Sequence, residues 1–452
     1  MSLFATMSDN RPTKSGKIKQ GCEGCHHHHI VTPKMGVFGE GKKGVMIITD
    51  HPCKADFKDG NPLGSKLKYL KAVLKQEKID LKRDCWVDSS VRCEQENNPD
   101  ETQIFQCGPR VRSNIKRLKP RVVILLGAVA VRAVIMDRAA GRLSGIEASH
   151  YYGEMIPDQE LGTYLCPTYH MNNLAATKNK KGDIDPVHDK LFTEHMTAAL
   201  RLAQDKKYSF PDNTKMGENV TIIDNLEDAV EFLELQADLW AGAKENITFD
   251  LEASGLKNQA TGHYIQCISF GNRGKAWCMP FFEDKRFQRA IEDIMSSDEI
   301  GKIAQNLQYE DSWIYRRAGF LKKYRVNNWV WDTMLAAHCI HNAKKTGLKF
   351  QVYVKLGILS YDGVVGNYLK SDGDSKGANG KNRVNKAPQM PLMQYCGEDS
   401  LYTWEVYEDQ KKWFESRPHL LEGSNFLMEG AIALSSLHIN GQRFDYERAI
   451  GS

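Results

Sequence analysis

The stretch Asn246-Ile-Thr-Phe-Asp-Leu-Glu-Ala-Ser-Gly-Leu256 decides the fold of the second half of this chain. Its apolar run predicts a strand, and Ser254-Gly255 predicts the turn that ends it. Residues two apart on a strand point the same way, so Asp250 and Glu252 present two carboxylates on one side. Paired hard oxygen donors suit a divalent cation. Two such cations can activate water and stabilise the leaving oxygen of a phosphodiester. By itself a D-x-E pair is weak, because solvated strand ends often carry one. Its weight depends on what else the chain supplies.

Further along, Ala304-Gln-Asn-Leu-Gln-Tyr-Glu-Asp-Ser-Trp313 places Asn306 four residues before Glu310, and Trp331-Asp332-Thr333 follows. Tyr395-Cys-Gly-Glu-Asp399 gives a Tyr and an Asp at helical spacing on one face. Together these residues resemble the three motifs of the DnaQ-like (DEDD) 3′-5′ exonucleases, in the Tyr-containing subtype. The likeness is to the proofreading domain of family A DNA polymerases and covers about residues 220–415. The resemblance implies an RNase H-like fold and two-metal hydrolysis with Mg²⁺ or Mn²⁺. Asp250, Glu252 and Asp399 would hold the catalytic metal. Glu310 would support the second, Tyr395 would orient the attacking water, and Asn306 would meet DNA. The family's second motif usually ends in Asp, so Asp311 stands as the alternative to Glu310. Asp332 reads as a cap or brace.

The first half is predicted to be α/β, with strand-like runs at Gly44–Thr49 and Arg121–Gly127 and helix-period stretches at Leu63–Gln76 and Gln103–Leu118. Cys22-Glu-Gly-Cys25, Cys93 and Cys107 are four thiolates that can hold zinc or a [4Fe–4S] cluster. His26–His29 reads as a surface segment, since four consecutive side chains do not converge in regular structure. The region from about Cys22 to Ala175 resembles the iron–sulfur uracil-DNA glycosylases of families four and five. The carriers are Gly44-Val-Met-Ile-Ile-Thr-Asp-His-Pro-Cys53, Pro120-Arg-Val-Val-Ile-Leu-Leu-Gly127 and Pro167-Thr-Tyr-His-Met171. The resemblance favours [4Fe–4S] over zinc and makes Asp50 and His170 the candidate DNA-side residues. Three departures bear on activity: Thr49-Asp-His-Pro-Cys53 stands for the family's Gly-Glu-x-Pro-Gly, Ser89 stands where the family has a base-reading Asn, and Met171 replaces a Pro. They favour a module that grips DNA or a partner over an active glycosylase. Lys66, Lys68, Lys71, Lys75 and Lys78 could meet phosphates or form a solvated helix face.

Composition is that of an ordinary globular protein: 41% hydrophobic, 26% charged, net charge +4. That balance permits a nucleic-acid partner without requiring one. No apolar run reaches the length of a membrane span, and the first residues do not resemble a signal peptide. The expected compartment is therefore a reducing cytoplasm, the host's if the gene is a phage's, with eleven scattered cysteines as thiols or metal ligands. The fold class expected is α/β in two domains: a glycosylase-like α/β/α sandwich over 1–207 and the exonuclease domain over 218–417. The polar stretch 205–220 is the linker, and 367–384 reads as a mobile loop. The segment 418–452 resembles the lead-in to a family A polymerase thumb. That order of parts occurs in some bacteriophage polymerases, so the palm and fingers are expected either in a separate partner chain or in a further C-terminal part. The alternative is a non-catalytic assembly subunit.

Overall fold

In the computed structural model of the chain, the described residues are 21–29, 34–64, 67, 70–94, 97–136, 138, 147–171, 174, 185–258, 260–314, 325–359, 361–370, 380–441, 445 and 448. Lys66, Lys68 and residues 371–379 of the expected loop lie outside them. The chain divides into two compact units, residues 1–213 with 353–359 and residues 214–352 with 360–452. No described helix is long and apolar enough to cross a membrane.

The first unit is built on strands β1 (Val45–Thr49), β2 (Cys85–Ser89), β3 (Val122–Leu126), β4 (Ile156–Asp158) and β5 (Thr163–Thr168). Their order is β2-β1-β3-β5-β4, parallel except for β4. β1 and β3 are buried along their whole length, which their unbroken apolar runs require of a parallel sheet covered on both faces. Helix α1 (Glu101–Leu118) starts at a capping box in which Asp100 and Gln103 satisfy each other's backbone N–H. It covers one face, where Arg110 and Asn114 reach Asp88. Helix α2 (Pro186–Gln204) packs on β3 and β5 from the other and buries Phe192, Met196 and Leu200. Residues 353–359 join this unit through the Tyr353 hydroxyl, which donates to Asp158 Oδ2 at 2.8 Å.

The second unit holds β6 (Val220–Ile222), β7 (Asn246–Ala253), β8 (Ile265–Asn272), β9 (Lys275–Pro280), β10 (Gly301–Ala304) and β11 (Trp329–Asp332), in the order β11-β10-β7-β8-β9-β6. β7, β8 and β9 form an antiparallel meander, while β10, β11 and β6 add parallel pairings. The end of the polar 205–220 stretch thus becomes a short edge strand. Its helices are α3 (Leu226–Ala243), α4 (Lys285–Ser296), α5 (Leu307–Ser312), α6 (Thr333–Ile340), the start of α7 (Leu348–Leu356, whose last residues count with the first unit), α8 (Gln389–Glu415) and α9 (Pro418–Asn440). The period-2 pattern of β7 sorts its two faces. Ile247, Phe249 and Leu251 join the core with Leu233 and Trp240 of α3 and Phe287 and Ile291 of α4. Thr248 and Asp250 meet α8 instead: Thr248 Oγ1 donates to the Ser400 carbonyl at 2.8 Å. Gly397 lets α8 lie close on the sheet, since a Cβ there would fall 2.3 Å from Val220 Cγ1. α9 packs on α5, with Gln308 Nε2 donating to the Ala431 carbonyl. The α/β class expected for both halves is what the chain adopts.

Candidate functional site

β7 and α8 bring the acidic residues of the second unit together. The carboxylate oxygens of Asp250, Glu252 and Asp399 lie within 4.8 Å of one another. Glu310, 3% exposed on α5, adds a fourth acid, and its Oε2 has no hydrogen-bond partner among the described residues. Burial first, and then mutual repulsion, pushes Asp250, Glu252 and Glu310 well above the usual carboxylate range. Burial also lifts Asp399 to about 6, while Tyr361, Lys349 and Tyr395 hold it down. Four converging acids with an orphaned oxygen and only hard donors fit one or more divalent cations. Asp250, Glu252 and Asp399 are placed to hold them.

Asp311, the alternative to Glu310, faces elsewhere. Its Oδ2 accepts from Arg325 Nη2 at 2.6 Å and from the Ser435 hydroxyl of α9. Asp332 accepts from the backbone N–H of Asn306, Leu307, Met334 and Leu335. It thereby caps α6 and pins the turn before α5, where Asn306 sits in the left-handed region at φ 71°. Asn306 is the N-cap of α5, four residues before Glu310.

Tyr395 is buried beside Asp399, with its ring stacked on Tyr361 at 5.6 Å and Lys349 Nζ 5.2 Å from its centroid. Sequence reasoning missed Tyr361 and Lys349. The Tyr361 hydroxyl donates to Asp399 Oδ1 at 2.6 Å, and Lys349 is bonded to Asp362 Oδ2 at 2.8 Å. Burial and the neighbouring carboxylates push both phenols upward, so both stay protonated donors. The only sequence hint was the Tyr361-Asp362 pair in a segment without a motif.

In the first unit, Asp50, Ser89 and His170 lie at or just past the C-terminal ends of β1, β2 and β5, the edge where open parallel sheets bind ligands. Asp50 Oδ2 lies 3.3 Å from His170 Nε2, and Asp50 Oδ1 accepts from the His51 N–H at 2.8 Å and from the Thr49 hydroxyl at 3.1 Å. Gly127 permits this, since a Cβ there would fall 2.5 Å from His170 Cβ. Ser89 Oγ is buried and without a partner among the described residues.

Cys22, Cys25, Cys93 and Cys107 line one cavity with Arg92 and His27. Arg92 and Lys34 donate to Cys22 Sγ and pull that thiol down, while burial pushes Cys107 up. Four sulfurs around one cavity fit a thiolate-bound cluster or ion. His26 and His27 do converge, at 3.1 and 4.0 Å from Asp100 Oδ2, because a 3-10 turn sets their rings 4.3 Å apart.

Residues 35–194 match the family model of the uracil DNA glycosylase superfamily, and residues 218–412 match that of a 3′-5′ exonuclease. The type-4 uracil-DNA glycosylase of Pyrobaculum aerophilum is 29% identical over 163 residues, 35% of this chain and 81% of that protein. That of Sulfurisphaera tokodaii is 26% identical over 161 residues, 34% of this chain and 72% of that protein. Among solved structures, the catalytic core of RRP6 from Trypanosoma brucei is similar at 19% identity and a TM-score of 0.34, covering 48% of this chain and 52% of that one. Brucella melitensis NrnC is similar at 14% identity and a TM-score of 0.34, covering 43% and 85%. The chain therefore carries a domain of the uracil DNA glycosylase superfamily followed by a 3′-5′ exonuclease domain with an RNase H-like fold.

Proposed function

We propose that the second unit removes nucleotides from single-stranded DNA 3′ ends, as the proofreading part of a phage-type family A polymerase. The observation that carries this reading is the buried convergence of Asp250, Glu252 and Asp399 with Glu310. Mg²⁺ or Mn²⁺, when bound, supplies Lewis-acid stabilisation of the attacked phosphodiester and its leaving oxygen. Tyr395 orients a water for attack on the terminal phosphorus. The P–O bond to the penultimate 3′ oxygen breaks, and a nucleoside monophosphate departs. Tyr361 fixes one oxygen of Asp399. Lys349 lowers the negative potential around Glu252 and Asp399. Asn306 and Asp332 act through the backbone, setting the angle at which α5 presents Glu310.

A 3′-labelled single strand incubated with the protein and Mg²⁺ tests this. Release of labelled mononucleotide is expected from the wild type and on the order of 10³-fold less from Asp250→Ala. Digestion that survives the substitution, or that starts at 5′ ends, would contradict it.

For the first unit we propose DNA binding, with Cys22, Cys25, Cys93 and Cys107 holding a [4Fe–4S] cluster. Cys107→Ser should lose visible iron–sulfur absorbance while exonuclease activity stays. The Asp50–His170 pair favours a second reading, action on a flipped base, in which Asp50 orients His170 or a water toward the glycosidic bond. Alkali-labile sites in uracil-containing DNA, lost in Asp50→Asn, would support it, and their absence in the wild type would end it.

A further inference from the structure

Behind the carboxylate cluster, three cysteines converge: Cys267 from β8, Cys278 from β9 and Cys396 from α8. All are buried, and their Sγ atoms lie within 4.8 Å of one another. Cys396 Sγ also reaches Asp250, 3.7 Å from its carbonyl oxygen and 3.8 Å from Oδ2, and lies 3.3 Å from Ser269 Oγ. The sulfurs therefore form a compact triangle in which Cys396 touches the acid site through Asp250.

Three soft donors at this separation suit one thiophilic atom. With bonds of about 2.3 Å, as in zinc thiolates, three bound sulfurs sit roughly 3.5–4 Å apart. Charge selects among thiophiles. A divalent ion on three thiolates leaves a net negative charge buried against Asp250, which is costly. A trivalent atom gives a neutral complex. We infer that Cys267, Cys278 and Cys396 form a three-thiol binding site for a trivalent thiophile of the arsenous acid class. Arsenous acid, As(OH)₃, exchanges its hydroxyls for the three sulfurs. Three S–H and three As–O bonds break, three As–S bonds form, and three waters leave with no change of oxidation state. Occupancy draws Cys396 away from Asp250 and shifts the part of α8 that carries Tyr395 and Asp399.

Two arms test this on the full chain. In the first, arsenite is titrated and bound arsenic is counted by native mass spectrometry. One arsenic fewer is expected in Cys278→Ser and in Cys267→Ala than in the wild type, whatever the N-terminal cysteines bind. Equal counts in all three would overturn the site. The second arm rests on the proposed nuclease. Arsenite should slow 3′-end digestion roughly tenfold or more in the wild type, the scale expected of a displaced active-site group. It should spare Cys278→Ser, and a dithiol should reverse it. Equal inhibition of both proteins would also overturn the site. A wild type without nuclease activity leaves the mass arm to decide and counts against the nuclease alone.

Discussion

The acid cluster of the second unit differs from the buried acids of the first. In the first, the buried acids have partners within the chain: Asp88 has Arg110 and Asn114, Asp158 has Arg138 and Tyr353, Asp84 has Arg83, Asp56 has the Cys53 N–H, and Asp50 has His170. In the second, Asp250, Glu252, Glu310 and Asp399 face one another, and the nearby cation Lys349 is already committed to Asp362. Buried like charges oppose folding. A set of them is tolerable where a positive charge from outside completes it, whereas paired acids are complete as they stand. The contrast separates acids that build the molecule from acids that would act.

The largest expected effect follows from removing one member of the unpaired set. Asp250→Ala should lower exonuclease turnover by on the order of 10³-fold, the upper range for losing one electrostatic group at a reacting centre. Tyr395→Phe should cost about 10²-fold through water orientation, the low end for a positioned proton-transfer group. Tyr361→Phe should cost about tenfold, because Asp399 keeps its place but loses its fixed oxygen. If Tyr361→Phe exceeded Tyr395→Phe, their roles would be reversed.

Neighbouring residues on α5 sharpen the comparison further. Asp311→Asn breaks the pair with Arg325, which is a third exposed, and should cost about 1–3 kcal/mol in urea unfolding with activity lowered only in proportion. Glu310→Gln should leave stability equal or higher and yet reduce activity. The opposite pattern would make Asp311 the acting residue.

The smallest effect is on pH dependence without metal. A carboxyl whose pKa is higher in the folded state costs nothing at low pH, where both states are protonated. As pH rises from 3.8 toward about 6 for Asp399, the unfolded chain ionises first and stability is lost. Metal-free melting temperature should therefore fall across that window, and the fall should shrink in Asp399→Asn.

Much of the acid site was legible because its members sit at fixed spacings within single elements. Asp250 and Glu252 share a strand face, and Tyr395 and Asp399 share a helix face. What lay between elements was not. Tyr361 reaches Asp399 from a segment with no periodicity, and Asp311 and Glu310 could not be told apart until the partners Arg325 and Ser435 were in place. The cysteine triangle joins two strands and a helix, so no spacing announces it, although Cys396 stands inside the Tyr395–Asp399 motif. The same limit hid the return of residues 353–359 to the first unit, which depends on Tyr353 meeting Asp158. By contrast, Cys22, Cys25, Cys93 and Cys107 were chosen from sequence and line one cavity.

The most direct measurement is thermal melting of the metal-free protein with and without Mn²⁺ near neutral pH. A cation that completes the acid set should raise the wild-type melting temperature by several degrees and have little effect on Asp250→Asn. The metal-free variant should melt at or above the metal-free wild type. An Mn²⁺ shift equal in both proteins, or a variant destabilised in the absence of metal, would contradict the view that these four carboxylates are an unpaired set built to receive a cation.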